Sequence, residues 1–447
     1  SAILVADRAR RCAEGDQRAP ASASSSRVDL SRFHHSDVQQ SILLISYSSL
    51  CVWSVGDAAR ILLFLDFNMM RSASEVMQVL HLIETGGPGG AERMLLGMTR
   101  HLDASFHSTV GLLKPGWLET QVRERGLAHV RIQGGAWGDF GRIRHLAKVV
   151  RTSSIQVIHA HEFYMNVLGA AVSRLTGVPL IATVHGKNYY PEKRRRRLLY
   201  RWVAATAASV VTVSEDLKSF FCRATGVAAS RVTMVPNGID TGAWSPVVPD
   251  AVLRADCGIP VDAMVAGAIG NLYPVKRHID LVRALPLMKA ACPNIHVVIL
   301  GRGDQKAILE READSLGVAD RLHLPGFQED ARRWLNIMDC FVMPSESEGM
   351  PLSLLEAMSA QLPVVVTAVG GIPEVVMHEE SGWLVPAHHP DILAKTLIHV
   401  LTNPSQARVV AKRARARIES RFSADAMGHA YGVLYRQGIE QARRVAR

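Results

Sequence analysis

At 447 residues, 48% hydrophobic and 21% charged, the chain has room for two or three domains with their own cores and the composition of an ordinary globular protein. Its net charge of +10 favours anionic partners (nucleotides, anionic lipids or nucleic acid) without choosing among them. The cysteines, Cys12, Cys51, Cys222, Cys257, Cys292 and Cys340, form no CxxC pair and read as reduced thiols of a cytosolic protein, and no His/Cys spacing reads as a metal site.

Residues 1–75 differ from the rest. Residues 1–37 are rich in Arg, Ala and Ser, with a low-complexity tract from Ala21 to Ser26, and read as disordered. Ser41 to Gly56 is uncharged but shorter than the ~20 residues that span a bilayer. Asp57 and Arg60 part it from the apolar Ile61–Leu65, and no signal-peptide cleavage pattern follows. A non-essential extension ahead of a start near Met70 or Met77 is expected; the alternative is a peripheral membrane anchor.

Val76 to Ile83 is an apolar run of strand length. Glu84-Thr-Gly86-Gly87-Pro-Gly89-Gly90-Ala-Glu92-Arg93 leads from it into a helix. This turn offers backbone amides to an anion, or is a purely structural tight turn. It is no dinucleotide fingerprint, because Glu92 stands where the third glycine should fall, and no Gly-Lys-Ser/Thr of a Walker loop follows. Strands are expected at Thr109–Leu113, Val130–Ile132, Ile155–Ile158 and Pro179–Val184, and helices at Trp117–Arg125, Gly141–Arg151 and Asn166–Leu175. Ligands of open parallel sheets bind at the carboxyl ends of strands, where His161 and His185 both stand. A histidine there is more often structural.

Gly186 to Arg201 is the most basic stretch. It reads as a solvated helix face, or as a surface for anionic lipid or a lipid-linked acceptor, with Tyr189, Tyr190 and Trp202 as interfacial aromatics. No DNA- or RNA-binding motif accompanies it. Ala207–Val213 is a further strand, Ser214 caps the next helix, and Val232–Asp240 carries a Pro-Asn-Gly turn. The proline-punctuated stretch from Thr241 to Pro260 crosses into a second domain.

There, Met264–Gly270 is a strand feeding Asn271-Leu-Tyr-Pro-Val-Lys276-Arg277-His278, and Ile295–Leu300 is a strand closed by Gly301-Arg-Gly303. Phe327 follows a short strand and either lines a pocket or joins the core. Cys340–Met343 stops at Pro344, a polar loop follows, and a helix starts near Pro351, where proline is tolerated. Amides at such a start receive phosphate oxygens, and Gly349 lets the backbone approach a ligand. Glu356, inside the helix, could accept two ribose hydroxyls. An isolated Glu348/Glu356 pair would more often be a helix-start acid and a solvated side chain.

The pair is not isolated. Glu348, seven residues, Glu356, then Gly370-Gly371-x-x-Glu374 resembles the donor-site signature of retaining, nucleotide-sugar glycosyltransferases of GT-B fold (family 4, glycosyl transferases group 1). The resemblance covers roughly residues 76–440. It implies two doubly wound, Rossmann-like α/β domains facing across a cleft, residues 76–245 holding the acceptor and 246–422 the nucleotide sugar. Residues 423–447 would be a helix crossing back to the first domain.

By the same resemblance, Gly86, Gly87 and Gly90 lie against the donor diphosphate from the opposite domain. Thr183-Val-His185-Gly186 matches a segment that puts His185 near the transferred sugar and the acceptor, with His161 and Tyr189 as acceptor-side candidates. Lys276 would hold the departing diphosphate, whose growing charge a fixed ammonium stabilises. The family usually has Gly-Arg-Leu-x-x-x-Lys-Gly here. Asn271 replaces the arginine and Arg277 the last glycine, so one cationic contact is missing unless Arg277 partly supplies it. Phe327 would face the nucleobase, Gly349, Met350 and Leu352 the donor, Glu356 the ribose and Glu348 the sugar.

The implied reaction is retaining transfer from a nucleoside-diphosphate sugar (UDP or GDP) to a hydroxyl of a saccharide or lipid-linked acceptor. Neither cofactor nor metal is expected, nor nucleic acid; the setting would be cytoplasmic, with peripheral contact to anionic membrane, in surface-polysaccharide, lipopolysaccharide or glycolipid synthesis. The rival readings are an inactive nucleotide-sugar-binding protein, which Asn271 permits, and a nucleotide-sugar epimerase of similar fold.

Overall fold

The computed structural model describes residues 76–134, 140–187, 194–246 and 250–446. The expected extension over residues 1–75 lies outside them, as do Tyr189 and Tyr190. Two all-parallel sheets organise the rest. The first contains β1 (Met77–Ile83), β2 (Phe106–Leu112), β3 (Ala128–Arg131), β4 (Val157–His161), β5 (Leu180–Val184), β6 (Ser209–Thr212) and β7 (Val232–Met234), in the order β3-β2-β1-β4-β5-β6-β7. The second contains β8 (Met264–Ile269), β9 (Ile295–Leu300), β10 (Leu322–Gly326), β11 (Cys340–Met343), β12 (Val364–Thr367) and β13 (Trp383–Val385), in the order β10-β9-β8-β11-β12-β13. Helices connect most successive strands and cover both faces. Every residue of β4, β5, β9, β11 and β12 is therefore buried, which is why these strands read as unbroken apolar runs.

Strand order reverses between β1 and β4 in one sheet and between β8 and β11 in the other. Crevices open at such switch points. The glycine-rich turn follows β1, His161 ends β4, Asn271 follows β8 and Glu348 follows β11. Topology thus delivers the segments singled out in the sequence to two facing crevices.

Two of the departures from expectation lie beside the facing crevices. The helix Glu162–Thr176 starts directly at the end of β4 rather than at Asn166, turning on Glu162 at φ 68°. The helix Leu352–Ser359 takes Pro351 as its N-cap, one position outside the first turn. Ser214 caps its helix as expected, accepting from the Leu217 amide at 3.2 Å. Cys222 and Cys257 are partly buried free thiols, and Cys292 and Cys340 are buried ones.

The two passages between the domains lie side by side. The Ile239 amide donates to the Phe422 carbonyl (3.0 Å) and the Ala424 amide to the Ile239 carbonyl (2.8 Å). The helix Ala424–Ala446 then returns to the first domain. It packs on the helix Gly90–His101 and buries Tyr431 and Tyr435 completely.

Candidate functional site

A cleft with about 1020 Å³ of empty space, open to solvent, lies between the two crevices. Its walls include Gly90, Arg93, His185 and Asn237 from the first domain. The second contributes Asn271, Lys276, Phe327, Glu348, Gly349, Met350, Leu352, Ser353 and Glu356. Ten of the expected site residues thus share one cavity: His185, Gly90, Asn271, Lys276, Phe327, Glu348, Gly349, Met350, Leu352 and Glu356.

Gly86, Gly87, Arg277 and His161 are not in its walls, and Tyr189 lies outside the described residues. Gly86 packs backbone to backbone: a Cβ there would stand 3.0 Å from the Lys114 and Pro115 carbonyl oxygens. At Gly87 a Cβ would stand 2.7 Å from Nη2 of Arg302. Arg277 binds the carboxylate of Asp280 through Nε (3.0 Å) and Nη2 (2.6 Å), so its guanidinium is engaged on its own helix rather than replacing the arginine absent at Asn271. His161 lies fully buried behind His185, its Nδ1 hydrogen-bonded to His185 Nε2 at 3.1 Å.

The charged groups of the cleft are held from several elements. The short 3₁₀ turn Pro274–Lys276 presents Lys276. Its Nζ donates to Oε1 of Glu348 at 2.7 Å, and Ser345 Oγ donates to the same oxygen at 2.6 Å. Ser353 Oγ donates to the Ile269 carbonyl at 3.0 Å, tying the helix Leu352–Ser359 to the end of β8. Glu356, one turn further on, is 7% exposed. Burial raises its carboxyl to about 7, against the opposing charge of Arg93. Enclosure lowers His185 to about 4, leaving it a neutral donor and acceptor near pH 7. Next to it, burial raises Glu162 to about 8, assisted by Glu92 and Glu84.

Glycines set how closely the domains meet. A Cβ on Gly349 would collide with the His185 carbonyl, and one on Gly371 with the Gly349 carbonyl and the Ser214 side chain. Asn237 Nδ2 donates to the Met350 carbonyl at 2.7 Å. Glu374 of the Gly-Gly-x-x-Glu turn accepts from the Glu215 (3.0 Å) and Asp216 (2.9 Å) amides. It thereby caps a first-domain helix, Glu215–Thr225, from the second domain.

Behind His185 stands a cluster that sequence spacing did not disclose. His81 pairs with His159 across β1 and β4, and His161 follows on the same face of β4. These three buried imidazoles have ligand nitrogens within 4.8 Å of one another. They are the group among the described residues that could hold a metal ion, brought together from β1 and β4, where spacing along the sequence gives no sign of it. Most of their nitrogens already have partners. His159 binds Tyr435 Oη (2.6 Å) and Thr183 Oγ1 (2.8 Å), and His81 binds Ser108 Oγ (3.1 Å). Sequence reasoning also passed over Arg93, Asn237 and Arg302, although each adjoins a glycine or turn it had singled out.

Comparison with known proteins agrees with this geometry. The family model described as Glycosyl transferases group 1 matches residues 251–417, and that described as Glycosyltransferase Family 4 matches residues 88–243. The UDP-Gal:alpha-D-GlcNAc-diphosphoundecaprenol alpha-1,3-galactosyltransferase of Escherichia coli is 28% identical over 295 residues, 64% of this chain and 76% of that protein. The D-inositol 3-phosphate glycosyltransferase of Thermobispora bispora is 28% identical over 330 residues, 67% and 76%. An Anabaena protein crystallised with UDP and glucose shares the fold with a TM-score of 0.72 at 24% identity, over 80% of this chain and 98% of that one. Sucrose-phosphate synthase from Thermosynechococcus elongatus does so with a TM-score of 0.67 at 20% identity, over 82% and 100%. The paired Rossmann-like sheets, the shared cleft and both family matches lead to one conclusion: the chain belongs to the group 1 glycosyltransferases of GT-B fold.

Proposed function

We propose that this protein is a retaining, metal-independent glycosyltransferase that moves a hexose from a nucleoside-diphosphate sugar to a hydroxyl of a saccharide or lipid-linked acceptor. One observation carries the reading. The Lys276–Glu348 pair, the start of the helix Leu352–Ser359 and the buried Glu356 face His185 within a single cleft. In this reading the diphosphate lies between Lys276 and the amides around Gly349, with the ribose on Glu356 and the sugar beside Glu348. The acceptor hydroxyl approaches from the His185 side. Its oxygen bonds to the anomeric carbon on the face from which the phosphate leaves, and its proton passes to the departing phosphate oxygen. Lys276 and the helix amides offset the charge that develops there, so no divalent ion is required.

The name of the Escherichia coli relative supports a UDP-sugar donor and a lipid-diphosphate-linked acceptor. The helix Arg194–Thr206 supports docking at an anionic membrane: it opens with four arginines and exposes Leu198 and Trp202. No described helix is long and apolar enough to cross a membrane.

Thermal melting of wild type and Glu356→Ala with UDP, GDP and ADP tests the donor site. A nucleotide at ~100 times its Kd adds about 2.7 kcal/mol, a shift of a few degrees; one nucleotide should stabilise wild type and not the variant. Turnover of the matching sugar nucleotide, unchanged by EDTA, should then yield a product of retained anomeric configuration by NMR. Inverted product removes retention. Donor conversion without acceptor indicates an epimerase, and binding without turnover of any sugar nucleotide a binding protein.

A further inference from the structure

A departing diphosphate carries more charge than one ammonium offsets, yet Asn271 stands beside Lys276 where the resembled family has arginine. Two guanidiniums other than the engaged Arg277 stand in or beside the wall of the cleft. Arg93 lines the wall, but it lies 5.4 Å over the Trp117 ring and its charge acts on Glu356. It serves the end assigned to the ribose.

Arg302 is placed differently. It follows β9, the strand beside β8, in the turn Gly301-Arg302-Gly303. Its carbonyl accepts from the Leu272 amide at 2.9 Å, so its loop is bonded to the one that carries Asn271. From there the guanidinium crosses to the glycine-rich turn of the first domain. It lies against Gly87, where a Cβ would stand 2.7 Å from Nη2, and 6.0 Å over the ring of Phe327, a wall residue of the cleft. Its charge also reaches the buried carboxyl of Glu92. Arg302 is exposed and makes no ion pair among the described residues. An unpaired guanidinium held between a glycine turn and an aromatic wall is arranged to receive an anion.

We propose that Arg302 is the second cation of the donor diphosphate site, reaching from the neighbouring strand to do what an arginine at Asn271 would do. The proposal rests on the donor-site reading above. It also gives Gly87 a role that fits its position outside the cavity wall: it leaves room for this guanidinium to cross between the domains.

Calorimetric titration with UDP and UMP (or GDP and GMP, if guanine is the preferred base) tests it on wild type, Arg302→Gln, Arg302→Lys and the double variant Arg302→Gln/Asn271→Arg. Arg302→Gln should weaken the diphosphate about tenfold or more while changing the monophosphate less than about twofold. Arg302→Lys should fall between, and Asn271→Arg should recover most of the loss. Wild-type affinity in Arg302→Gln overturns the proposal. So does an equal loss for both nucleotides that Asn271→Arg does not repair, which would assign Arg302 to the base through Phe327. If wild type binds no nucleotide at all, the donor-site reading fails and this proposal with it.

Discussion

Glu356 is a carboxyl whose environment can be turned into a measurement. Burial raises it from an ordinary 4.5 to about 7, so between those values the folded protein holds a proton that the unfolded chain has released. Its contribution to stability is therefore fully present below about pH 4.5 and is lost as pH rises through about 7. A ribose donating two hydroxyls prefers the ionised form, so nucleotide binding should drive the proton off. We expect UDP, or GDP if that is the preferred nucleotide, to bind about tenfold more tightly at pH 8 than at pH 6, and Glu356→Gln to abolish that slope by calorimetry. Without nucleotide, Glu356→Gln should melt above wild type at pH 8. The spacing of Glu348 and Glu356 was readable in the sequence. The pairing of Glu348 with Lys276 was not, because 72 residues separate them and only the neighbouring ends of β8 and β11 bring them together. Arg277 teaches the opposite lesson. Its partner Asp280 lies three residues away on the same helix start, a local pair that the sequence alone already placed within reach.

At the level of elements, the start of the helix His278–Ala291 turns on Arg277 at φ 51°, a left-handed conformation where the resembled family has glycine. Such backbone costs a non-glycine residue roughly 1–2 kcal/mol. The Arg277–Asp280 pair compensates, with Asp280 only 3% exposed. Arg277→Gly should relieve the backbone yet leave a buried carboxylate unpaired, for a net loss of about 1–2 kcal/mol and a lower Tm. Adding Asp280→Asn should recover part of it. Nucleotide affinity should change less than about twofold in both variants; a tenfold loss would return Arg277 to the donor site. The helix after β4 starts four residues before the expected Asn166. Phe163, Tyr164, Met165 and Asn166 are all buried in the helix, so its apolar first turn directly follows the polar His161-Glu162 that closes the strand, with no loop between them. The turn between them consists of one residue, Glu162, and no glycine marks it.

At the level of the molecule, the glycine contacts and Glu374 decide how the cleft closes. The Gly-Gly-x-x-Glu turn was legible as a motif, but the helix it caps lies in the other domain, some 159 residues earlier. Pairing at that separation leaves no trace in local pattern. Glu374→Ala removes both acceptors from the start of the helix Glu215–Thr225, a loss of about 1 kcal/mol by the usual cost of a cap. Because the cap spans the domains, the expected signature is more than a lower Tm: a larger radius of gyration by small-angle scattering, a raised KM for donor and a reduced kcat. An unchanged scattering profile with unchanged kinetics would confine Glu374 to local capping.

The return of the helix Ala424–Ala446 to the first domain also bears on the order in which the protein is made. Tyr435 closes over His159 and Tyr431 over Thr183, 276 and 248 residues after their partners. At a synthesis rate of about 5–20 residues per second, the partners wait on the order of tens of seconds for their cover. The first domain to leave the ribosome is therefore the last to be finished. A message cut short just before Ala424 would yield two folded sheets, one of them with an open seam along β4 and β5 for chaperones or proteases to find.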